Sequence, residues 1–348
     1  MSKETKIQWC DSTINFWRGC TKVSAGCAHC YAEKNIGVKM SGIEWGKCKP
    51  RVKTKGATAD AFALNRKPWI CGNGHANSGD TFCYEDGCED QSFHRRRIFS
   101  LSLGDWLDPE VPIEWLAEML DTIRQCDQVI WILCTKRPEL WYSRMVSVLE
   151  HCAGAQIEQV EDTFPATDLG YWVNQWTGGD APQNIWLLTS VEDQPAADQR
   201  IPELLKIPAV VHGLSCEPLL GPLKIGRYLG EVELASYSAF NSSASVTGGI
   251  EWVIVGGESG TDARACNVDW IRSLVAQGKA ARCATFVKQL GGNVVFDLGG
   301  LTPNCKRFVA VSPTLTRAEL IHPKGGDMAE WPEELRVREF PKPITRFV

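Results

Sequence analysis

The chain has 348 residues, 44% hydrophobic and 23% charged, with 31 Gly and 18 Pro, an ordinary globular composition that excludes wholesale disorder, collagen and coiled coil. Its 37 basic and 42 acidic side chains give a net charge of −5, so no global basic field advertises a nucleic-acid partner, which leaves room only for a local patch. The longest apolar runs, such as Val129-Ile130-Trp131-Ile132-Leu133-Cys134, fall far short of the roughly 20 residues that a spanning helix needs, and the charged N-terminus Met-Ser-Lys-Glu-Thr-Lys carries no secretory pattern; a cytoplasmic, non-membrane protein is expected.

In chain order, a first strand is expected near Thr13–Arg18, leading into a cysteine loop. Buried parallel strands follow at Arg97–Leu103, Val129–Thr135, Asn184–Ser190, Val210–Ser215, Glu251–Val255 and Thr285–Lys288, each a short apolar run. Helices are expected between them at Pro112–Cys126, Pro138–Leu149, Asp193–Leu205 and Asn267–Gly278. In the first of these, Trp115, Leu116, Met119, Leu120 and Ile123 recur at helical spacing behind an acidic start, which suits the helix dipole. This alternation predicts an α/β fold, a partial (β/α) barrel of the TIM type forming one domain over the whole chain. Lys47–Asp90, Cys152–Ala181 and Glu231–Gly249 interrupt the pattern and read as insertions, and the proline-punctuated end, 300–348, reads as an irregular extension.

The expected strand ends carry polar clusters: Ser100, Ser102 and Asp105; Thr135, Lys136 and Arg137; Ser190 and Glu192; Ser215, Cys216 and Glu217; Gly256, Gly257 and Glu258; Lys288 and Gln289. In (β/α) barrels the C-terminal strand ends build the active site, so these clusters predict one shared pocket.

Fifteen cysteines in a chain without a secretory signal favour metal or cluster ligation over disulfides. Cys20, Cys27 and Cys30 fall within eleven residues of a glycine-containing loop. Three thiolates can hold a [4Fe–4S] cluster with one iron open to S-adenosylmethionine, whereas structural zinc would want a fourth ligand, for which the adjacent His29 is the alternative. A second group, Cys71, His75, Cys83 and Cys88 with Cys48 upstream, lies in a segment (47–94) with little to build a core from. It predicts a zinc site completed by His75 or Cys48, or an auxiliary iron–sulfur cluster, against the alternative of free thiols, since the spacing is not a clean pair of Cys-x2-Cys knuckles. Cys10, near the cysteine loop, and Cys216, at a strand end, are candidates to deliver a hydrogen atom to a substrate radical.

Basic residues concentrate at Lys47, Lys49, Arg51, Lys53 and Lys55, at Arg66 and Lys67, and at Arg95, Arg96 and Arg97. With 14 tryptophans as stacking surfaces, they predict a phosphate-contacting stripe led by Lys49, Arg51, Lys53, Arg95 and Arg96, against the alternative of a solvated face and core tryptophans.

Several ordered segments carry a resemblance: Ile7–Asn15, the Cys20/Cys27/Cys30 loop with Tyr31-Ala-Glu33, Arg95–Asp105, Thr135–Pro138, Ile185–Asp193, Leu214–Pro222, Val253–Gly260 and Phe286–Gly292. Through them the sequence resembles the phage Gp37/Gp68-like family (DUF5131) of radical S-adenosylmethionine, three-cysteine-motif proteins. The six-residue first gap between cysteines departs from the three-residue gap of the commonest radical enzymes. The resemblance implies a radical S-adenosylmethionine barrel with the cluster on Cys20, Cys27 and Cys30. Cofactor contacts would come from Ser100, Ser102, Asp105, Thr135, Lys136, Ser190, Glu192, Gly256 and Gly257, and catalytic roles would fall to Glu258, Cys216 and Lys288. It implies an external one-electron reductant of the flavodoxin or ferredoxin type and a nucleobase of phage DNA, or a modified nucleotide, as substrate in a host cytoplasm. One fitting reaction is isomerisation of N-linked glycinyl thymidine to its carbon-linked form, on a flipped-out base. The alternatives are a photoproduct-type thymine repair lyase and a non-catalytic zinc protein that binds nucleic acid.

Overall fold

The computed structural model describes residues 5–34, 38, 41–80, 83, 85, 88, 92–154, 167–230, 249–297 and 305–342. The loop-like stretch expected at Glu231–Gly249 falls almost wholly outside them, as do 155–166 of the Cys152–Ala181 stretch and parts of the cysteine-rich and C-terminal segments.

Seven strands form one sheet in sequential order: β1 (Ser12–Ile14), β2 (Arg97–Ser100), β3 (Ile130–Thr135), β4 (Ile185–Ser190), β5 (His212–Cys216), β6 (Trp252–Gly256) and β7 (Ala284–Gln289). β1 pairs in parallel with β2 and β2 with β3, while β5 pairs in parallel with β6 and β6 with β7. That order is the one a partial (β/α) barrel requires. The strands form here because their runs are apolar on both faces: all residues of β4 and β6 are buried, as parallel sheets demand. The expected first strand is shorter than read, since after Ile14 the chain leaves the sheet and Trp17–Arg18 pairs antiparallel with Val52–Lys53.

The helices are α1 (Ala57–Asn65), α2 (Ile113–Gln125), α3 (Trp141–Ala153), α4 (Asp168–Thr177), α5 (Gln194–Leu204) and α6 (Val268–Ala281). Leu116, Met119, Leu120 and Ile123 of α2 are fully buried, each worth about 1.5–3 kcal/mol of apolar burial. Asp193 caps α5 by accepting from the Ala196 amide at 2.9 Å, and Asn267 caps α6 through the Asp269 amide, the side-chain capping that fixes where a helix starts.

Two compact units divide the chain: Met1–Lys22, Tyr31–Leu187 and Ile207–Val210 in one, Val23–Cys30, Leu188–Lys206 and Val211–Val348 in the other. Two expectations need correction. Part of the polar stretch 152–181 is the helix α4, whose Leu169, Val173 and Trp176 are buried. Trp176 stacks with Trp106 at 6.4 Å and meets Trp141 edge-on at 5.6 Å, which explains why a polar-looking segment is helical. The C-terminal stretch is not wholly irregular either. β8 (Val294–Asp297), β9 (Arg307–Ala310) and β10 (Leu315–Glu319) join Cys266–Asn267 in a four-stranded sheet of order 266–267, β8, β10, β9.

Candidate functional site

In the first unit, the chain past β1 turns through Gly19, whose amide donates to the Leu103 carbonyl at 3.1 Å with φ +108°, a conformation that glycine adopts freely. Cys20 follows, half-buried and without a disulfide. The Arg137 guanidinium stands 3.7 and 3.8 Å from its Sγ and donates to the Thr21 carbonyl at 2.7 Å. Asp105 fixes that guanidinium at 2.8 Å and also accepts from the Thr135 hydroxyl (2.7 Å) and the Lys136 and Leu107 amides (3.0 Å each). Burial and the neighbouring Asp105 push the Cys20 thiol up to about 12, with Arg137 opposing. Asp105, Thr135 and Lys136, expected as cofactor contacts, are therefore joined in a network that positions Arg137 beside Cys20.

Arg51 takes part in the same scaffold. Its fully buried side chain pairs with Asp108 at 2.8 Å and donates to the Thr21 hydroxyl and to the Gly46 and Lys49 carbonyls. Asn15 bonds the Ser102 hydroxyl at 3.1 Å, and the Tyr31 hydroxyl donates to the Ser102 carbonyl at 2.7 Å. Ser100 is buried, its hydroxyl 3.8 Å from the Met119 sulfur.

In the second unit, Ala25–Cys27 forms a single helical turn held from two sides. The Gly26 amide donates to Glu192 Oε1 at 3.2 Å, and Arg264 donates to the Ala25 carbonyl at 2.8 Å. Glu192, placed just past β4, is buried against Arg200 of α5 at 2.8 Å, and Arg200 also donates to the Ser190 carbonyl. A Cβ on Gly26 would lie 3.0 Å from Glu192 Cδ, so any larger residue presses on the carboxylate that accepts from the amide. Glu258, past β6, accepts from the Arg264 amide, Nε and Nη2, and stands 3.1 Å from His29 Nδ1. Burial alone would raise the Glu258 carboxyl, but the Arg264 hydrogen bonds and charge, with His29, hold it below the usual carboxylate range. Cys27, with the Ser24 hydroxyl 3.9 Å from its sulfur, and Cys30 are half-buried and form no disulfide.

The remaining expected residues find partners of their own. Lys288 Nζ pairs with Glu217 at 2.6 Å, and Gln289 bonds Glu217 and the Gly257 carbonyl. Cys216 is wholly buried, and desolvation pushes its thiol far up, so it stays protonated. Cys10 is buried near the Ile7 carbonyl. Gly256 and Gly257 were expected among the cofactor contacts. At Gly257, however, a Cβ would come 2.2 Å from the Leu290 carbonyl oxygen and 2.9 Å from Cys266 Cβ, so the close approach is to the protein itself. Two surface hollows, of about 600 and 370 Å³, are lined by Gln194, Asp198 and Lys224 in one and Gly291, Asn293 and Lys306 in the other. Neither lining includes the three loop cysteines.

The second cysteine group converges. The donor atoms of Cys71, His75, Cys83 and Cys88 all lie within 4.8 Å of one another, a set that can bind a metal ion. Of the two expected fourth ligands it is His75 that joins, whereas Cys48 is exposed with its amide on Glu110 at 2.7 Å. The basic stripe does not form as expected. Arg51 is buried as above, and Arg96 is buried on the Ser12 hydroxyl and the Lys67 carbonyl. Arg95 donates to the carbonyls of Asp127, Gln128 and Val129. Both guanidiniums answer backbone carbonyls and hydroxyls that burial would otherwise leave unsatisfied. Lys49 pairs with Glu44, and Lys53 with Glu118. Nine of the tryptophans are buried and the other five are half-buried, so the core reading holds for most of them.

Taken one by one, Cys20, Cys27 and Cys30 have the chemistry of cluster ligands: all three are thiols outside disulfides, and a guanidinium lies near the Cys20 sulfur and a hydroxyl near that of Cys27, donors of the kind that tune a cluster from outside its ligands. His29, the alternative zinc ligand, has its Nδ1 on Glu258. Sequence reasoning missed Arg200 and Arg264. Arg200 had a signal, since it shares the buried face of α5 with Ala196, Ala197, Ile201 and Leu204, and an arginine on an apolar stripe implies a buried carboxylate. Among the described residues no helix is long and apolar enough to cross a membrane. A family model described as a protein of unknown function (DUF5131) matches residues 4–320. No curated protein and no solved structure matches the chain.

Proposed function

The chain belongs to the DUF5131 family, and we propose that it is a radical S-adenosylmethionine enzyme built on a partial (β/α) barrel. The observation that carries this reading is the clamped turn Ala25–Cys27. Two buried or half-buried ion pairs, Glu192–Arg200 and Glu258–Arg264, have one member each bonded to its backbone, an investment that suits a loop carrying a reactive centre more than a plain connection.

On this reading Cys20, Cys27 and Cys30 hold a [4Fe–4S] cluster, and a fourth iron is left for the amino and carboxylate groups of S-adenosylmethionine. When bound, cluster and cofactor supply one-electron cleavage to a 5′-deoxyadenosyl radical, a hydrogen abstractor. The chain's own contribution is positional. Arg137 and Ser24 donate toward the thiolates, Glu192 and Arg264 hold the turn, and Glu258 orients His29. The family resemblance points to a nucleobase in phage DNA as substrate. Isomerisation of N-linked glycinyl thymidine to its carbon-linked form conserves the formula, breaking a carbon–nitrogen bond and making a carbon–carbon bond, and is the reaction we favour.

The test is anaerobic incubation of cluster-loaded protein with S-adenosylmethionine and a low-potential reductant. 5′-Deoxyadenosine should form with wild type and not with Cys27→Ala, and DNA bearing the N-linked group should yield the carbon-linked nucleoside on digestion. Cluster-loaded wild type that releases no 5′-deoxyadenosine would refute the proposal.

A further inference from the structure

Among the described residues of 47–94 few apolar side chains are buried: Ala57, Ala61, Ile70 and Cys71 are among them. Yet the segment folds into a three-stranded antiparallel sheet, with Trp69–Cys71 between Ala76–Asn77 and Phe93–Arg95. So small a sheet is marginal in water without another source of stability. The four donors at its edge supply one. Cys71 ends the central strand, and a tight turn follows in which the Gly74 amide bonds the Cys71 carbonyl at 2.8 Å with Gly74 at φ +85°. That turn returns His75 beside Cys71, whose amide donates to the His75 carbonyl at 3.1 Å.

The distances discriminate between kinds of metal centre. Cys71 Sγ and Cys88 Sγ are 3.8 Å apart, and Cys83 Sγ is 3.4 Å from His75 Nδ1. With Zn–S of about 2.3 Å and Zn–N of about 2.0–2.1 Å, a tetrahedral site has S···S edges of about 3.8 Å and S···N edges of about 3.5 Å. A [4Fe–4S] cluster puts each thiolate on a different iron, and a [2Fe–2S] cluster puts two on each of its two irons, so in both some donors stand farther apart than one ion's coordination edge, whereas all four donors here lie within 4.8 Å of one another. The surrounding donors match as well. Asn73 Nδ2 points at Cys88 Sγ at 3.4 Å, while the buried Asn77 donates to the His75 carbonyl at 2.9 Å and lies 3.7 Å from Cys83 Sγ.

We propose that Cys71, His75 through Nδ1, Cys83 and Cys88 bind a single Zn²⁺ in a closed structural site that folds this segment, with Asn77 as a positioning residue. The site has a route to the main sheet. Phe93–Arg95 runs directly into β2, and Asp11, one residue before β1, accepts from the Arg97 amide at 2.7 Å and stands 3.1 Å from His94. Loss of the ion therefore loosens the start of β2 as well as the insertion.

Metal analysis tests this without reference to catalysis and independently of the radical reading. Purified full-length protein should contain about one zinc per chain, retained in a Cys20/Cys27/Cys30→Ala triple variant and lost in Cys83→Ser. Cobalt substitution should give the visible bands of a tetrahedral thiolate site. Asn77→Ala keeps all four ligands, so it tests the site even if Cys83→Ser fails to fold. It should weaken zinc affinity by about 10–100-fold in chelator competition and leave the iron content unchanged. Zinc that persists in Cys83→Ser, or iron in place of zinc in the triple variant, would overturn the assignment. Wild type with zinc and no iron would overturn the radical reading and leave this one standing.

Discussion

The clamp on the cysteine turn makes a quantitative prediction at Glu192. Its carboxylate is buried with the Arg200 guanidinium at 2.8 Å, the two side chains only 2% and 6% exposed. Glu192→Ala removes the counter-charge and leaves Arg200 buried and unneutralised, which costs about 3–5 kcal/mol. Replacing both partners by apolar residues of similar volume, Glu192→Leu with Arg200→Met, removes the orphaned charge, and such exchanges are often near neutral. The double variant still lacks an acceptor for the buried Gly26 amide, a deficit of about 1–3 kcal/mol. It should thus lie between the single variant and wild type in urea denaturation followed by tryptophan fluorescence. Both variants should retain less iron after reconstitution, because the loss of the Gly26 contact is common to them. A single variant that costs less than about 1 kcal/mol, or a double variant no more stable than the single, would refute the buried-pair reasoning. Full iron retention in the double variant would show that the clamp does not position the cysteines.

Arg51→Gln should destabilise the fold by several kcal/mol, of the order expected when one partner of a buried pair is removed, whereas Lys49→Gln should be near neutral; denaturation midpoints decide, and equal effects would contradict the assignment of Arg51 to the scaffold. The Asp11 carboxyl, which burial alone would raise, is held well below the usual carboxylate range by His94 and Arg97. A carboxyl depressed in the folded state adds stability above its unfolded pKa of about 3.9, and that stability is lost as pH falls toward the folded value. The stability gap between wild type and Asp11→Asn should accordingly narrow as pH falls from 5 to 2, and a gap that widens would reverse the sign.

Much of the fold was legible because β3, β4 and β6 are apolar runs buried on both faces and α2 carries an apolar stripe. In such segments local pattern and burial coincide. The helix α4 was missed although Leu169, Val173 and Trp176 sit at helical spacing, because polar residues and glycines intervene and its packing depends on Trp106 and Trp141 far away in sequence. The C-terminal strands β9 and β10 were missed because they are short, proline-flanked and half-exposed. At the site, the cysteines and strand-end carboxylates were visible as types, but their pairings were not. Gly26 and Glu192 are 166 positions apart, and Cys20 and Arg137 are 117 apart. Arg51 and Arg96 looked like surface charge because charge patterning alone does not distinguish a solvated arginine from one that satisfies buried carbonyls.

The most direct test of the central claim is iron, sulfide and zinc analysis with a visible spectrum, on protein purified anaerobically as wild type and as Cys27→Ala. Wild-type protein should be brown, with about four iron and four sulfide per chain, both lost in Cys27→Ala while zinc is unchanged. A colourless wild type whose zinc falls in Cys27→Ala would contradict the cluster reading and assign the three-cysteine loop to zinc.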